Sequence, residues 1–138
     1  MSLNYLFYVF IVVLFFKKLD EFFDAPLDYR VCGYGFEIHE MTEMAKAPAG
    51  LGQCAISNQP SFSLPFLYAY YGQREKSDYY IKKIATECFT RDSYPGDEDN
   101  GTTAAWYVLA SLGFYPLCPG HKEMIKCKQQ VKSFKIKE

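Results

Sequence analysis

The stretch YPGDEDNGTTAAWYVLASLGFYPLCPG, residues 94–120, decides how this chain folds. It opens with a polar loop bounded by glycines and then becomes an uninterrupted apolar run. A run of this length predicts a helix over residues 102–114 that is ended by Gly113. Trp106 inside it is expected in the core rather than at an exposed binding face. The two prolines that follow stop helical structure, because proline lacks the N–H that a helix interior requires.

Four more helices are expected upstream, on the basis of hydrophobic spacing and of the residues that break it. Segment 77–89 has one apolar face, whereas the body of segment 60–71 is apolar on every side and is expected to be buried all round. Within the tail at 121–138, residues 131–137 alternate lysine with apolar residues, which predicts a short β-strand tail. Apolar helices joined by polar loops are typical of packed helix hairpins, so the expected fold is mainly α. The upstream helices are predicted at residues 3–23, 36–47, 60–71 and 77–89.

The N-terminal run from Leu3 to Phe16 is apolar apart from Asn4, and two lysines follow it. Its length of about 14 residues is short for a membrane span, which requires about 20. It lacks the preceding positive charge and the small-residue cleavage site of a signal peptide. The run therefore predicts either a membrane-associated segment or an element that is buried on every side.

The composition excludes two classes of protein. Aromatic residues make up 18% of the chain, which rules out disorder. The formal net charge of −1 provides no basic surface for nucleic acid, so no nucleic-acid partner is expected. The five cysteines are widely spaced and odd in number. They predict neither a zinc site nor a disulfide framework, and we interpret them as mostly buried thiols.

The acidic loop, residues 96–101, carries Asp97, Glu98 and Asp99 in succession. From the residues alone, three interpretations remain open. The loop is a solvated acidic turn, as most such runs are. Alternatively it starts a calcium loop, although the later acidic residues of an EF-hand are missing. The third interpretation is the base of a glycosidase, since a carboxylate at the mouth of a helix barrel can activate water.

The same stretch resembles glycoside hydrolase family 92, a family of α-mannosidases. The family pattern is an acidic loop, a small-residue helix start, AWYV, an apolar stretch and GFYPxCPG, and residues 96–120 follow it. A second block, residues 57–73, is similar to the family's N-[EQ]-P-S segment, its PYLY-type helix and its G-Q turn. Residues 33–42 also resemble the family. The resemblance covers about residues 18–134 and is most specific from 53 to 120.

The resemblance implies part of an (α/α)6 barrel that hydrolyses α-mannoside glycans with calcium and with inversion. Asp97 and Asp99 match the family's paired aspartates, which act as the general base. Asn58, Gln59 and Ser61 match the segment that contacts substrate. Gln59 stands where many members have glutamate, and Gln59 and Asp99 are the implied calcium ligands.

Two departures from the family pattern bear on activity. Phe62 and Ser63 stand where many members carry histidine, which bears on the α-1,2 linkage preference. The family's general-acid glutamate lies well upstream, in a part of the family sequence that this chain lacks. The glutamates within residues 36–47 do not match its motif. Because general acid catalysis contributes about 10²–10⁴-fold, little or no activity is expected from this chain without the missing half of the catalytic domain.

Three parts are expected along the chain. Residues 1–17 are an apolar segment unlike the family, 18–120 are the partial barrel, and 121–138 are a β-strand tail leading toward a β-sandwich domain. An N-terminal segment unlike the family indicates a truncated gene or a misplaced start codon. The family location is periplasmic or extracellular, and membrane association through residues 3–16 is the alternative for this chain. The rival interpretation of function is a non-catalytic helical remnant or a membrane-tethered binding protein.

Overall fold

The computed structural model describes residues 3–26, 50–92, 94–135 and 137 of the chain. Within these residues the chain forms four α-helices, one 3₁₀ turn and a two-stranded sheet. The predicted helix at 36–47, the family-like motif at 33–42 and Cys32 lie outside the described residues. The helices are α1 (Leu3–Asp24), α2 (Leu64–Tyr70), α3 (Arg74–Glu87) and α4 (Thr102–Leu112).

Helix α1 confirms the predicted long N-terminal helix, but its two halves have different surroundings. Leu19 and Phe23, near its C-terminal end, are buried in the core. The large apolar side chains between Tyr5 and Leu14 are exposed, apart from the half-buried Val12. The expectation that this run is buried on every side is therefore wrong. In the described part of the chain, no helix is long and apolar enough to cross a membrane.

Asp20 anchors the C-terminal half of α1 to the rest of the molecule. Its carboxylate accepts hydrogen bonds from the Lys76 ammonium at 2.7 Å and from the Tyr68 hydroxyl at 2.8 Å. Beside this contact, the ring of Phe23 stacks on that of Tyr80 at a centroid distance of 4.0 Å. A charge-assisted contact and an aromatic contact thus hold α1 against α2 and α3.

Helix α2 begins later than the sequence predicts. Residues Gln59–Ser61 form a 3₁₀ turn, and α2 starts at Leu64 with Pro65 in its first turn, where the missing N–H is not needed. The expectation of burial all round is also wrong, because the side chain of Tyr70 is 59% exposed. The buried residues of α2 are Pro65, Phe66 and Tyr68.

Helices α3 and α4 supply the predicted apolar faces of the core. Ile81 and Ile84 of α3 are fully buried, and Trp106 of α4 is 1% exposed, as expected of a core residue. The Trp106 indole donates a hydrogen bond to the carbonyl oxygen of Phe62 at 2.9 Å. Its ring also lies parallel to that of Phe89 at 5.7 Å. The polar edge of the tryptophan is therefore satisfied inside the core.

The described cysteines are free, and three of the four are buried, which confirms the interpretation as mostly buried thiols. Burial raises the pKa of Cys54 and of Cys88 to about 12 and that of Cys127 to about 11. Cys118, by contrast, is exposed. The buried thiols thus stay protonated near neutral pH and act as small apolar groups.

The sheet is short and lies after α4. Strand β1 (Phe114–Tyr115) pairs antiparallel with β2 (Ile125–Lys126), with Tyr115 opposite Ile125. Gly113 turns the chain at a φ of +85°, and a Cβ there would come within 2.8 Å of the Cys127 carbonyl oxygen. Strand β2 lies within the predicted β-strand tail at 121–138, but the alternating residues 131–135 and 137 are not in a strand, so that part of the prediction is wrong. Alternation alone does not make a strand where no neighbouring strand pairs with it.

Candidate functional site

Two segments that are distant in sequence meet beside the N-terminal end of α4. They are the acidic loop, residues 96–101, and the amide turn, residues 57–61. The side-chain amide of Gln59 donates a hydrogen bond to Asp99 Oδ2 at 2.5 Å, across 40 sequence positions. A Cβ on Gly96 would stand only 2.5 Å from the Cβ of Ser57. Glycine is therefore needed where the loop passes the turn.

The backbone of the acidic loop is held in an unusual conformation. Asp99 and Asn100 both have a φ of +55°, and Gly101 follows at +90°. Aspartate and asparagine tolerate this left-handed region better than most residues, but it still costs free energy. Thr102 offsets that cost, because its hydroxyl and its N–H donate to the Asp99 carbonyl oxygen at 2.8 and 3.2 Å. The reversal fixes Asp99 next to the amide turn.

Glu98 serves the helix rather than the site. Its Oε2 accepts a hydrogen bond from the Gly101 N–H at 2.5 Å, and its Oε1 accepts from the Ala104 N–H at 3.3 Å. These N–H groups at the start of α4 have no partner within the helix, and a negative charge is favourable there. The sequence interpretation did not separate Glu98 from its neighbours. The signal was its place just before a helix start, where acidic residues are enriched.

Asp97 has a fixed backbone and an accessible carboxylate. Its carbonyl oxygen accepts a hydrogen bond from the hydroxyl of the fully buried Thr103 at 2.9 Å. Among the described residues, no hydrogen bond or ion pair engages its carboxylate, and the side chain is exposed. Of the three carboxylates in the loop, Asp97 is therefore the exposed one without a hydrogen-bond partner among the described residues.

The remaining residues of the amide turn have local roles. Asn58 Oδ1 accepts the N–H of Gln59 at 2.9 Å and so caps the 3₁₀ turn. Ser61 is 8% exposed, which leaves its hydroxyl little access to a ligand. Gln59 is exposed and reaches Asp99. Substrate contact by Asn58, Gln59 and Ser61 stays a prediction.

Gln59 and Asp99 match part of a calcium shell. Calcium binds 6–8 oxygen ligands at about 2.3–2.6 Å, and a carboxylate and an amide carbonyl are both suitable. The amide of Gln59 presents its nitrogen to Asp99, so it must turn its oxygen toward an ion to act as a ligand. In the part of the chain that the structure describes, no three His, Cys, Asp or Glu residues are grouped to hold a metal ion. The two residues fit calcium in chemistry but supply only part of its shell.

The sequence and the fold together place the chain in a family. Residues 13–137 match the glycosyl hydrolase family 92 catalytic domain, so the chain belongs to that family and corresponds to part of its catalytic domain. This confirms the resemblance given by the two sequence blocks.

Among solved structures, the chain is similar to a family GH92 alpha-mannosidase from Bacteroides thetaiotaomicron in complex with mannoimidazole. The two are 29% identical with a TM-score of 0.60, and the match covers 77% of this chain and 13% of that chain. The chain therefore spans about one eighth of the length of that enzyme. A comparison with functionally curated proteins gives no match.

Proposed function

We propose that this chain forms part of the catalytic domain of a calcium-dependent, inverting exo-α-mannosidase that acts on glycans. The observation that carries the proposal is the contact between Gln59 and Asp99, which lies two positions after the exposed Asp97. Family membership supports an α-mannoside as the substrate. In this proposal residues 18–120 are part of an (α/α)6 barrel, and residues 121–138 lead toward a β-sandwich domain. The proposed location is periplasmic or extracellular.

Asp97 is the proposed general base. An inverting glycosidase activates water on the face of the sugar opposite the leaving group, and it separates its two carboxyl groups by about 6.5–9.5 Å to make room for that water. The Asp97 carboxylate is suited to this step, because it has no competing partner among the described residues. It would take the proton of the water as the oxygen forms its bond to the anomeric carbon and the bond from that carbon to the leaving group breaks.

Asp99 and Gln59 are the proposed calcium ligands. Together they would hold a calcium ion, which would supply orientation and electrostatic stabilisation to the bound sugar. Asn58 fixes the conformation that presents Gln59, since its side chain holds the backbone N–H of that residue. We assign Asn58 and Gln59 to the surface that meets the sugar. The buried Ser61 supports the turn instead, since its N–H donates to the Asn58 carbonyl oxygen at 3.1 Å.

The described residues provide the proposed general base of the reaction but not its general acid. Glu98 is the carboxylate nearest to Asp97 in sequence, but the N–H groups of Gly101 and Ala104 donate hydrogen bonds to its two oxygens. Both oxygens are therefore engaged at the start of α4, and we assign Glu98 to the helix rather than to the leaving group. We expect the chain alone to hydrolyse ordinary α-mannosides poorly, since the proton donor would come from the rest of a complete catalytic domain.

A substrate that needs no acid tests this division of roles. Fluoride leaves from α-mannosyl fluoride without protonation by a general acid, whereas methoxide does not leave from methyl α-mannoside. We expect calcium-dependent release of fluoride by the chain, with hydrolysis of methyl α-mannoside at least about 100-fold slower. Asp97→Asn should reduce fluoride release by about 10²-fold or more, and the exposed Asp24→Asn should leave it unchanged. Equal hydrolysis of both substrates, or fluoride release that survives Asp97→Asn, would contradict the proposal.

A second candidate function is attachment to a membrane through residues 3–16, as a non-catalytic or tethered binding protein. The exposed apolar side chains of residues 5–11, 13 and 14 support it, because they surround the helix rather than line one face. Flotation with phosphatidylcholine vesicles tests it. We expect the chain to float with the vesicles and Phe10→Glu to float less, whereas Tyr79→Glu, at an exposed tyrosine of α3, serves as the control. No flotation of the unmodified chain would contradict membrane attachment.

A further inference from the structure

A cavity of about 630 Å³ lies between the first half of α4 and the segment that precedes the acidic loop. Its lining includes Tyr94, from the chain segment that leads into the loop, and Tyr107 of α4. Ala104 also lines it, and the N–H of Ala104 donates to Glu98 at 3.3 Å. The cavity and the acidic loop thus share the first turn of α4.

The aromatic wall of this cavity is rigidly supported. Phe89 lies parallel to the buried Trp106, with an interplanar angle of 2°. Two tyrosine rings pack on Phe89. Tyr107 lies at a centroid distance of 5.0 Å, and Tyr94 lies edge-on at 6.3 Å. The two tyrosines remain 41% and 46% exposed. Each therefore offers a ring and a hydroxyl to a ligand at low entropic cost, since the rings are already placed.

The polar lining indicates the charge of that ligand. Arg91 and Asp92 both line the cavity and both are exposed, so opposite charges stand side by side. The N–H of Asp92 donates to the Thr90 hydroxyl oxygen at 3.3 Å, which helps to fix this segment. A simple anion would be attracted by Arg91 and repelled by Asp92. A neutral polyol can accept a hydrogen bond from Arg91 and donate one to Asp92.

We propose that this cavity is a subsite for a second, neutral sugar ring of the mannoside glycan. The proposal rests on the proposed function, since it requires the glycan to be held at the acidic loop. A pyranose ring presents C–H groups on one face and hydroxyls around its edge, which matches aromatic rings beside one donor and one acceptor. A volume within the usual 300–1,000 Å³ of ligand pockets accommodates a ring of this size.

Titration of the ¹⁵N-labelled chain with α-mannobiose, followed by NMR, tests the subsite. We expect chemical-shift changes at Tyr94, Ala104 and Tyr107, and binding about fivefold to tenfold weaker in Tyr107→Ala. Tyr107→Phe, which keeps the ring, should bind within about twofold of the unmodified chain, and so should Tyr79→Ala on α3. No shift changes at these residues, or equal binding by Tyr107→Ala, would overturn the subsite. Displacement of the disaccharide by sulfate would also overturn it in favour of an anion site.

Different results would contradict the proposed subsite and the proposed catalytic role. Asp97→Asn is expected to lose fluoride release and to keep the Tyr107-dependent binding of α-mannobiose. Binding that depends on Tyr107 without any fluoride release would leave the subsite supported and would contradict the catalytic role. Fluoride release that depends on Asp97, with mannobiose binding indifferent to Tyr107, would support catalysis and overturn the subsite.

Discussion

Replacing Gly96 with alanine tests how closely the acidic loop passes the amide turn. The new Cβ would stand 2.5 Å from the Cβ of Ser57, 3.0 Å from its Cα and 3.1 Å from its carbonyl oxygen. Carbon atoms in contact prefer about 3.5–4.0 Å. The atoms that it meets belong to the backbone and to a Cβ, so no flexible side chain can swing aside. The two segments must separate, and overpacking of this kind costs about 1–3 kcal/mol.

Urea denaturation followed by circular dichroism measures this cost. Small proteins lose about 1–3 kcal/mol of stability per molar urea, so the midpoint of Gly96→Ala should fall by roughly 1 M. Gly50→Ala is the matched control, because a Cβ there meets no atom of the described residues within 4 Å. The control should leave stability unchanged or raise it by up to about 1 kcal/mol. Equal midpoints for the two variants would refute the close crossing of loop and turn.

Three further predictions use the same chain. Glu98→Ala removes two acceptors from the start of α4 and should lower the free energy of unfolding by about 0.5–2 kcal/mol, whereas alanine at the exposed Glu123 should not. Burial raises the pKa of Asp20, but hydrogen bonds from Lys76 and Tyr68 and the Lys76 charge outweigh it and hold that pKa below its ordinary value. The carboxylate therefore stabilises the fold above its unfolded pKa, and the stability difference from Asp20→Asn should shrink as the pH falls from about 5 to about 2. In peptide mapping after iodoacetamide treatment at pH about 8, Cys118 should react before the buried Cys54, and equal rates would contradict the packing of the core.

Hydrophobic pattern predicted the long helices well and the short elements poorly. Helices α1 and α4 follow uninterrupted apolar runs, and α4 ends at Gly113, the glycine that the sequence predicts as its end. The start of α2 was misplaced, because the Asn58 side chain holds the Gln59 N–H and favours a separate 3₁₀ turn. A side-chain contact of this kind leaves no trace in hydrophobic periodicity. The tail shows a related effect, because a strand depends on a partner that local pattern does not reveal. Residues 125–126 pair with β1, whereas the alternating residues 131–135 and 137 form no strand.

The candidate site was less accessible to sequence reasoning than the helices. Spacing alone cannot predict that Gln59 reaches Asp99, because the contact spans 40 positions and depends on the packing of α2 and α4. Three adjacent carboxylates are chemically equivalent until a backbone arranges them. The left-handed turn at Asp99 and the start of α4 then separate them into one helix cap, one amide contact and one exposed carboxylate.

Calorimetric titration with calcium, with and without methyl α-mannoside, tests whether Gln59 and Asp99 bind a metal ion. We expect weak binding, with a Kd on the order of 10⁻⁴–10⁻³ M because few protein ligands are present, and tighter binding when the mannoside is added. Asp99→Asn should abolish the heat of binding, and the exposed Asp24→Asn should preserve it. Calcium binding that survives Asp99→Asn, or no calcium binding with or without the sugar, would contradict the assignment of Gln59 and Asp99 as the metal side of a mannosidase site.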